Sequence, residues 1–184
     1  MAVLRADAQR NLSRILEAAS EAYAELGPDV SVDEIARRAG VGHGTVFRRF
    51  PTKDALRAAV IQARLDELLA RAHQLLGQPD AGAALEEFVW VAAEMCRRDR
   101  TLFEGIEQCG AVEEVAAAKQ DLHDTVGKLI RRAQREGAIR RGLDSRDIGA
   151  LVGAAVQASM HAERDDAWRR YVKVVLDGLR SGLR

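Results

Sequence analysis

The stretch SVDEIARRAGVGHGTVFRRFPTKD, Ser31 to Asp54, constrains the chain more than any other. Ser31 followed three residues later by Glu34 is the pattern of a capping box, in which the hydroxyl takes an orphan N–H and the glutamate reaches back to the cap. Val32, Ile35, Ala36 and Ala39 recur at helical spacing, so a short helix buries that face. Gly40 follows the last of them, where a left-handed turn is easiest for glycine. A second short helix, about 44–50, places Val46 and Phe50 on one side. Pro51 cannot continue it, and Thr52 can cap the next helix. Two short helices around a glycine-bearing turn are the sequence form of a helix-turn-helix.

Charge gives this unit a task. From Ile35 to Lys53 there is no Asp or Glu, while Arg37, Arg38, Arg48, Arg49 and Lys53 fall inside. Basic side chains on a helix narrow enough for the major groove suit contact with phosphates and base edges. A merely solvated basic face is the competing reading of such a cluster. Its coincidence with the turn motif favours double-stranded DNA. Thr45 and one of Arg48 and Arg49 are candidates for base contact, Arg38 and Lys53 for phosphate, and His43 for either. Gly42 and Gly44 would let a backbone approach closely.

Bulk charge adds nothing to this, because the formal net charge is zero. Any nucleic-acid surface must therefore be local. Hydrophobic residues at 47% and charged ones at 30% suit a globular chain, and aromatics at 4% with abundant Ala and Arg favour helix. The two cysteines, Cys96 and Cys109, lack the close spacing of zinc or redox pairs and read as reduced residues of a cytoplasmic chain. Met1–Arg10 has no apolar core, so neither a signal peptide nor a membrane span is expected.

The remainder reads as helix after helix, an all-α chain. Asp7 is a candidate cap for a first helix running to about Leu26, whose stripe (Leu12, Ile15, Leu16, Ala19, Ala22, Tyr23, Leu26) braces the two short helices. Arg5 and Arg10 could form a basic arm, or simply a frayed terminus. A long helix follows over 53–76. Its join to the reading helix is too short to flex, so tilting one moves the other. Residues 83–98 are apolar nearly all round, the mark of a central helix, interrupted by Glu94. Glu94 reads either as an edge residue paired with Arg97 or Arg98, or as a carboxylate facing a cavity. A short helix is expected over 99–108 and a longer one over 111–136, with Lys119 on its apolar seam and His123 beside it. Lys119 either snorkels to the surface or faces a cavity. Asp144, with Asp147, caps the next helix. The last, about 165–183, presents Trp168, Tyr171, Val172, Val175 and Leu179, and with the helix before it could either finish the core or form a subunit contact. This gives about nine helices: a three-helix DNA-binding domain over 1–52 and a larger helical bundle over 53–184.

Catalytic patterns are lacking. His43, His73, His123 and His161 are scattered; there is no nucleophile elbow and no phosphate-cradling glycine loop. His161 and Asp165 have metal-ligand spacing but an expected helix break between them, so no metal and no cofactor is assigned.

GVGHGTVFRRFPTKDAL, with SVDEIARRA before it, resembles the DNA-binding signature of the TetR family of transcriptional regulators, in detail over about 10–56. The resemblance implies that the second short helix enters the major groove. Phe47 stands where the family usually has tyrosine, so the phenolic contact to phosphate is not available here. Gly42 replaces the usual Ser or Ala and is a weaker cap. The resemblance also implies a small-molecule effector among helices bearing Leu69, Trp90, Glu94, Phe103, Lys119 and His123. Its binding would tilt the 53–76 helix and release the operator, making the protein a ligand-responsive repressor. It further implies a homodimer through the last two helices, with Leu151, Ala155, Trp168, Tyr171, Val172, Val175 and Leu179 at the contact. The alternatives are a constitutive DNA-binding protein without effector and, further off, a helical enzyme.

Overall fold

The computed structural model describes residues 2–99, 113–160, 162 and 164–180. Among them are eight helices and no strand: α1 (Ala2–Leu26), α2 (Val32–Ala39), α3 (His43–Arg49), α4 (Lys53–Leu76), α5 (Ala81–Arg98), α6 (Glu113–Arg135), α7 (Ser145–Ser159) and α8 (Ala167–Leu179). The short helix expected over 99–108, with Phe103, lies outside the described residues except for Asp99, as do Cys109 and His161. The chain forms two compact units, Met1–Arg64 with Asp99–Ala116 and Leu65–Arg98 with Ala117–Arg184. They divide within α4, rather than at a join between helices.

In the first unit, local chemistry sets the helix ends. The Ser31 hydroxyl accepts the Glu34 N–H at 3.2 Å. Only this half of the capping box forms, because the Glu34 carboxylate turns instead to Arg37 and Arg38. Gly40 takes φ 63°, and Val41 N–H reaches back to Ala36 carbonyl at 3.0 Å, closing α2 with a left-handed turn. Thr52 Oγ1 accepts the Ala55 N–H at 3.0 Å and so starts α4. Of the expected α1 stripe Ile15, Ala19, Ala22 and Tyr23 are buried, Leu12 and Leu16 are half-buried, and Leu26, at the helix end, is exposed. Ile35, Ala36 and Ala39 of α2 are buried but Val32, in its first turn, only half so, and Val46 of α3 and Leu56, Val60 and Ile61 of α4 complete the core. Asp7 does not cap α1, which already begins at Ala2; it pairs with Arg10 one turn on.

A polar cluster is buried in the same unit. The Arg64 guanidinium lies 3.1 Å from Asp99 Oδ2 and donates to Ser20 Oγ at 2.9 Å, while Ser20 Oγ donates to Asp99 Oδ1 at 2.7 Å. All three side chains are almost wholly removed from solvent.

In the second unit α5, α7 and α8 pack on one another. α5 buries Leu85, Phe88, Val89 and Met95 but leaves Trp90, Val91 and Ala92 half-exposed, so within one chain it is less enclosed than its composition suggests. The Asp144–Asp147 capping box at α7 forms in both directions. Arg132 donates to the Leu76 carbonyl at 3.1 Å, and Glu136 accepts the Ala81 N–H at 3.1 Å, so α6 satisfies the open ends of α4 and α5. Past α6, Ile139 bridges to Arg180 beside the end of α8.

Candidate nucleic-acid interface

α3 is held by its apolar side and presents the other. Val46 is fully buried and Phe50 nearly so, whereas His43, Gly44, Phe47, Arg48 and Arg49 are exposed and Thr45 half-buried. Seven residues at 1.5 Å each make a rod about 10 Å long, which fits a major groove about 12 Å wide. Phe47 is 55% exposed, a costly placement for an aromatic ring unless something covers it. Its ring stacks on His43, with centroids 6.1 Å apart and 14° between planes. Asp33 accepts from His43 Nδ1 at 2.5 Å. Arg48 reaches towards Thr45 Oγ1 at 3.5 Å, so both side chains lie on the exposed face. Gly42, the N-cap of α3, makes no side-chain cap, and a Cβ there would meet nothing within 4 Å; the backbone stands open to approach.

The five basic residues divide into two groups. Arg37 forks onto Glu34 at 2.7 and 2.8 Å. Arg38, offered by the sequence as a phosphate contact, is only 21% exposed and bonds Glu34 at 2.8 Å and Glu25 at 2.7 Å. It clamps α2 to α1, and its charge is already balanced. Lys53 donates to the Asp29 carbonyl at 3.0 Å, a neutral partner that leaves its charge uncompensated. Arg48, Arg49 and Lys53 therefore carry the outward positive field.

Glu34 is the hinge of this division. Hydrogen bonds from Arg37 and then Arg38 hold its carboxyl down at about 2, against 4.5 ordinarily. A carboxyl depressed in the folded state adds stability above its unfolded value and loses it as pH falls towards the folded one. Wild-type stability should therefore decline as acid is added from about pH 4.5 to about pH 2. Glu34→Gln should flatten that part of an acid-unfolding curve followed by circular dichroism. An unaltered curve would remove Glu34 from this role.

Phe103 lies outside the described residues, and the other expected effector residues stand in different surroundings. Glu94 is nearly half-exposed and takes Arg97 at 2.7 Å, the edge-pair arrangement. The Trp90 ring sits 6.0 Å from that of Trp168 in an edge-to-face contact, and Arg97 and Arg169 lie over Trp168 at 5.6 and 4.8 Å. Leu69 and Lys119 are half-buried. His123 lines a cleft of about 360 Å³ between α6 and the start of α7, which Leu69, Trp90, Glu94 and Lys119 do not line. Burial first, then the Arg146 and Lys119 charges, lower the His123 pKa, favouring the neutral ring.

The expected dimer contact also separates. Trp168, Val172 and Leu179 are core residues of their own chain, turned inward because α8 packs that stripe on α5 and α7. The exposed apolar residues at α7 and α8 are instead Leu151 at 44%, Met160 at 41%, Tyr171 at 37% and Val174 at 70%, with Ala155 and Val175 half-exposed. Sequence reasoning passed over Val174, although Tyr171, Val174 and Gly178 share helical spacing.

Among the described residues no helix is long and apolar enough to cross a membrane, and no group of three His, Cys, Asp or Glu could hold a metal ion.

Comparison with known proteins agrees with this geometry. Residues 15–60 match the family described as bacterial regulatory proteins, tetR family, and residues 80–181 match the C-terminal domain of SbtR-like transcriptional regulators. A TetR transcription regulatory protein from Mycobacterium vanbaalenii is 39% identical, with a TM-score of 0.71 over 96% of this chain and 99% of that one. An uncharacterised HTH-type transcriptional regulator of Mycobacterium tuberculosis is 28% identical over 153 residues, covering 81% of this chain and 79% of its own length. The fold is shared with the regulator FadR of Bacillus subtilis in complex with stearoyl-CoA, at 18% identity and a TM-score of 0.67 over 92% of this chain and 100% of that one.

Proposed function

The chain belongs to the TetR family of DNA-binding transcriptional regulators, and from that premise we propose that it is a dimeric, ligand-responsive repressor. Residues 1–52 would bind the operator and 53–184 would bind effector and partner subunit. The observation that carries the operator half is the outward face of α3, where no carboxylate among the described residues pairs with Arg48 or Arg49 while Val46 and Phe50 fix the rod beneath. A helix-turn-helix of this size reads two half-sites about one helical turn, or a multiple, apart, as a two-fold pair of copies does. The effector half is supported by the stearoyl-CoA complex of a regulator with this fold. Three residues, Phe50 to Thr52, join α3 to α4, and Phe50 is buried. A ligand that tilts α4 thereby moves α3. Release of DNA requires the ligand to bind the non-DNA state more tightly, by about 2–5 kcal/mol.

The test is a gel-shift titration on an operator obtained by site selection. Arg48→Ala should weaken specific binding by about 1–3 kcal/mol, with base discrimination relaxed at one position per half-site. Unchanged affinity and unchanged discrimination would take Arg48 out of the reading face. Lys53→Ala should weaken all sequences alike and reduce the salt slope by about one unit per contacted phosphate. A loss confined to one operator would contradict a phosphate role for Lys53.

A further inference from the structure

A second concentration of positive charge lies in the second unit. Between Thr125 and Leu143 the chain carries Lys128, Arg131, Arg132, Arg135, Arg140 and Arg141 against the single acid Glu136, in a protein of zero net charge. Lys128, Arg131 and Arg135 recur at helical spacing on α6, and Arg141 returns from the loop beyond it. With Gln134 they line a cleft of about 450 Å³ that no carboxylate among the described residues lines. Glu136 is engaged elsewhere, accepting from Arg132 at 3.0 Å and from the Ala81 N–H. The helix macrodipole accounts for cations in the last turn of α6, but not for Lys128 two turns earlier or Arg141 past the end.

The arrangement is fixed from several sides. Gly127 is a poor choice for a helix interior, yet a Cβ there would lie 3.1 Å from Arg131 Nη1; the glycine lets that guanidinium fold against the helix. Gln134 Nε2 donates to the Arg140 and Leu143 carbonyls at 3.2 and 3.0 Å, so both neighbours of the Arg141–Gly142 pair are tied to α6. Arg140 N–H bonds the Leu179 carbonyl at 2.8 Å and Ile139 is buried, pinning the same loop to the end of α8.

Four cations around one concave space repel each other, and a polyanion removes that repulsion while accepting from the guanidinium forks. The volume is that of a small-molecule site rather than an extended strip. We propose that this cleft binds a small molecule carrying a phosphoanhydride, of the nucleoside-diphosphate kind. Leu69, Trp90, Glu94 and Lys119 do not line this cleft, while the His123 cleft adjoins it through Arg131 and Gln134. The proposal concerns binding alone, so it is tested without DNA and its failure leaves the operator reading untouched.

The experiment is isothermal titration of the full chain with ADP and with sodium pyrophosphate, at ionic strength held constant with chloride. Saturable binding of one ligand per chain is expected. ADP binding more tightly, or alone, assigns a nucleotide; equal affinities assign the phosphoanhydride by itself. Arg131→Gln/Arg135→Gln should weaken binding about tenfold or more, since each arginine offers charge-assisted bonds. Arg10→Gln/Arg164→Gln removes equal charge from exposed positions and should leave affinity unchanged. No binding of either probe beyond the chloride-matched blank overturns the proposal. So does an equal loss in the charge-matched control.

Discussion

Replacing Arg64 with alanine should lower the unfolding free energy by about 3–5 kcal/mol, one of the largest losses expected of any single change in the chain. Arg64 is 6% exposed and Asp99 1%, so truncation withdraws a cation from a carboxylate that solvent cannot reach. The guanidinium also serves Ser20 on α1 at 2.9 Å and approaches Glu17 at 3.4 Å, which ties α1 to α4. A buried pair is expensive to break because the surviving charge keeps its desolvation penalty. The same principle gives the control. Arg64→Met/Asp99→Leu removes both charges and should recover most of the loss, whereas Arg64→Lys keeps the charge, loses the planar fork and should recover only part. Urea unfolding at one protein concentration measures all three, since association would otherwise shift the midpoints. An Arg64→Ala loss below about 1 kcal/mol would mean that the cluster is hydrated and marginal.

Leu151→Asp/Val174→Asp should turn the protein into a folded monomer and weaken operator binding more than about a hundredfold, the usual scale of two linked half-sites. Both side chains are exposed on a single chain, at 44% and 70%, so aspartate costs little in the isolated fold and much in a dry contact between copies. Trp168→Ala makes the contrast. Trp168 packs against Trp90 and under two arginines, so its truncation should unfold the second unit rather than separate subunits. Light scattering together with a thermal melt distinguishes the two outcomes. A double variant that remains dimeric would place the subunit contact elsewhere.

What could be read from the residues alone was whatever neighbours in sequence decide. Ser31, Gly40, Pro51 with Thr52, and Asp144 with Asp147 set helix ends through bonds spanning only a few residues, so the helix order and the three-helix N-terminal arrangement were legible. Pairing across helices was not. Glu25 lies thirteen residues from Arg38, and only packing of α1 on α2 brings them together, turning a supposed phosphate contact into a clamp. On α8 two apolar stripes run side by side. The family resemblance places residues of both at the subunit contact, but a chain buries its richest stripe, here Trp168, Val172 and Leu179, in itself first. The α6 cations were visible as composition. Their convergence was not, because Arg141 reaches the cleft only through the return past Gly137, at φ 75°.

The central claim is that α3, fixed by Val46 and Phe50, reads DNA as one of a two-fold pair. The measurement that meets it most directly is selection from randomised duplexes by the full-length chain at moderate ionic strength. An enriched inverted repeat is expected, its half-sites about one helical turn or a multiple apart, and the enrichment should disappear in Leu151→Asp/Val174→Asp. Recovered sequences no different from the input pool would contradict the account.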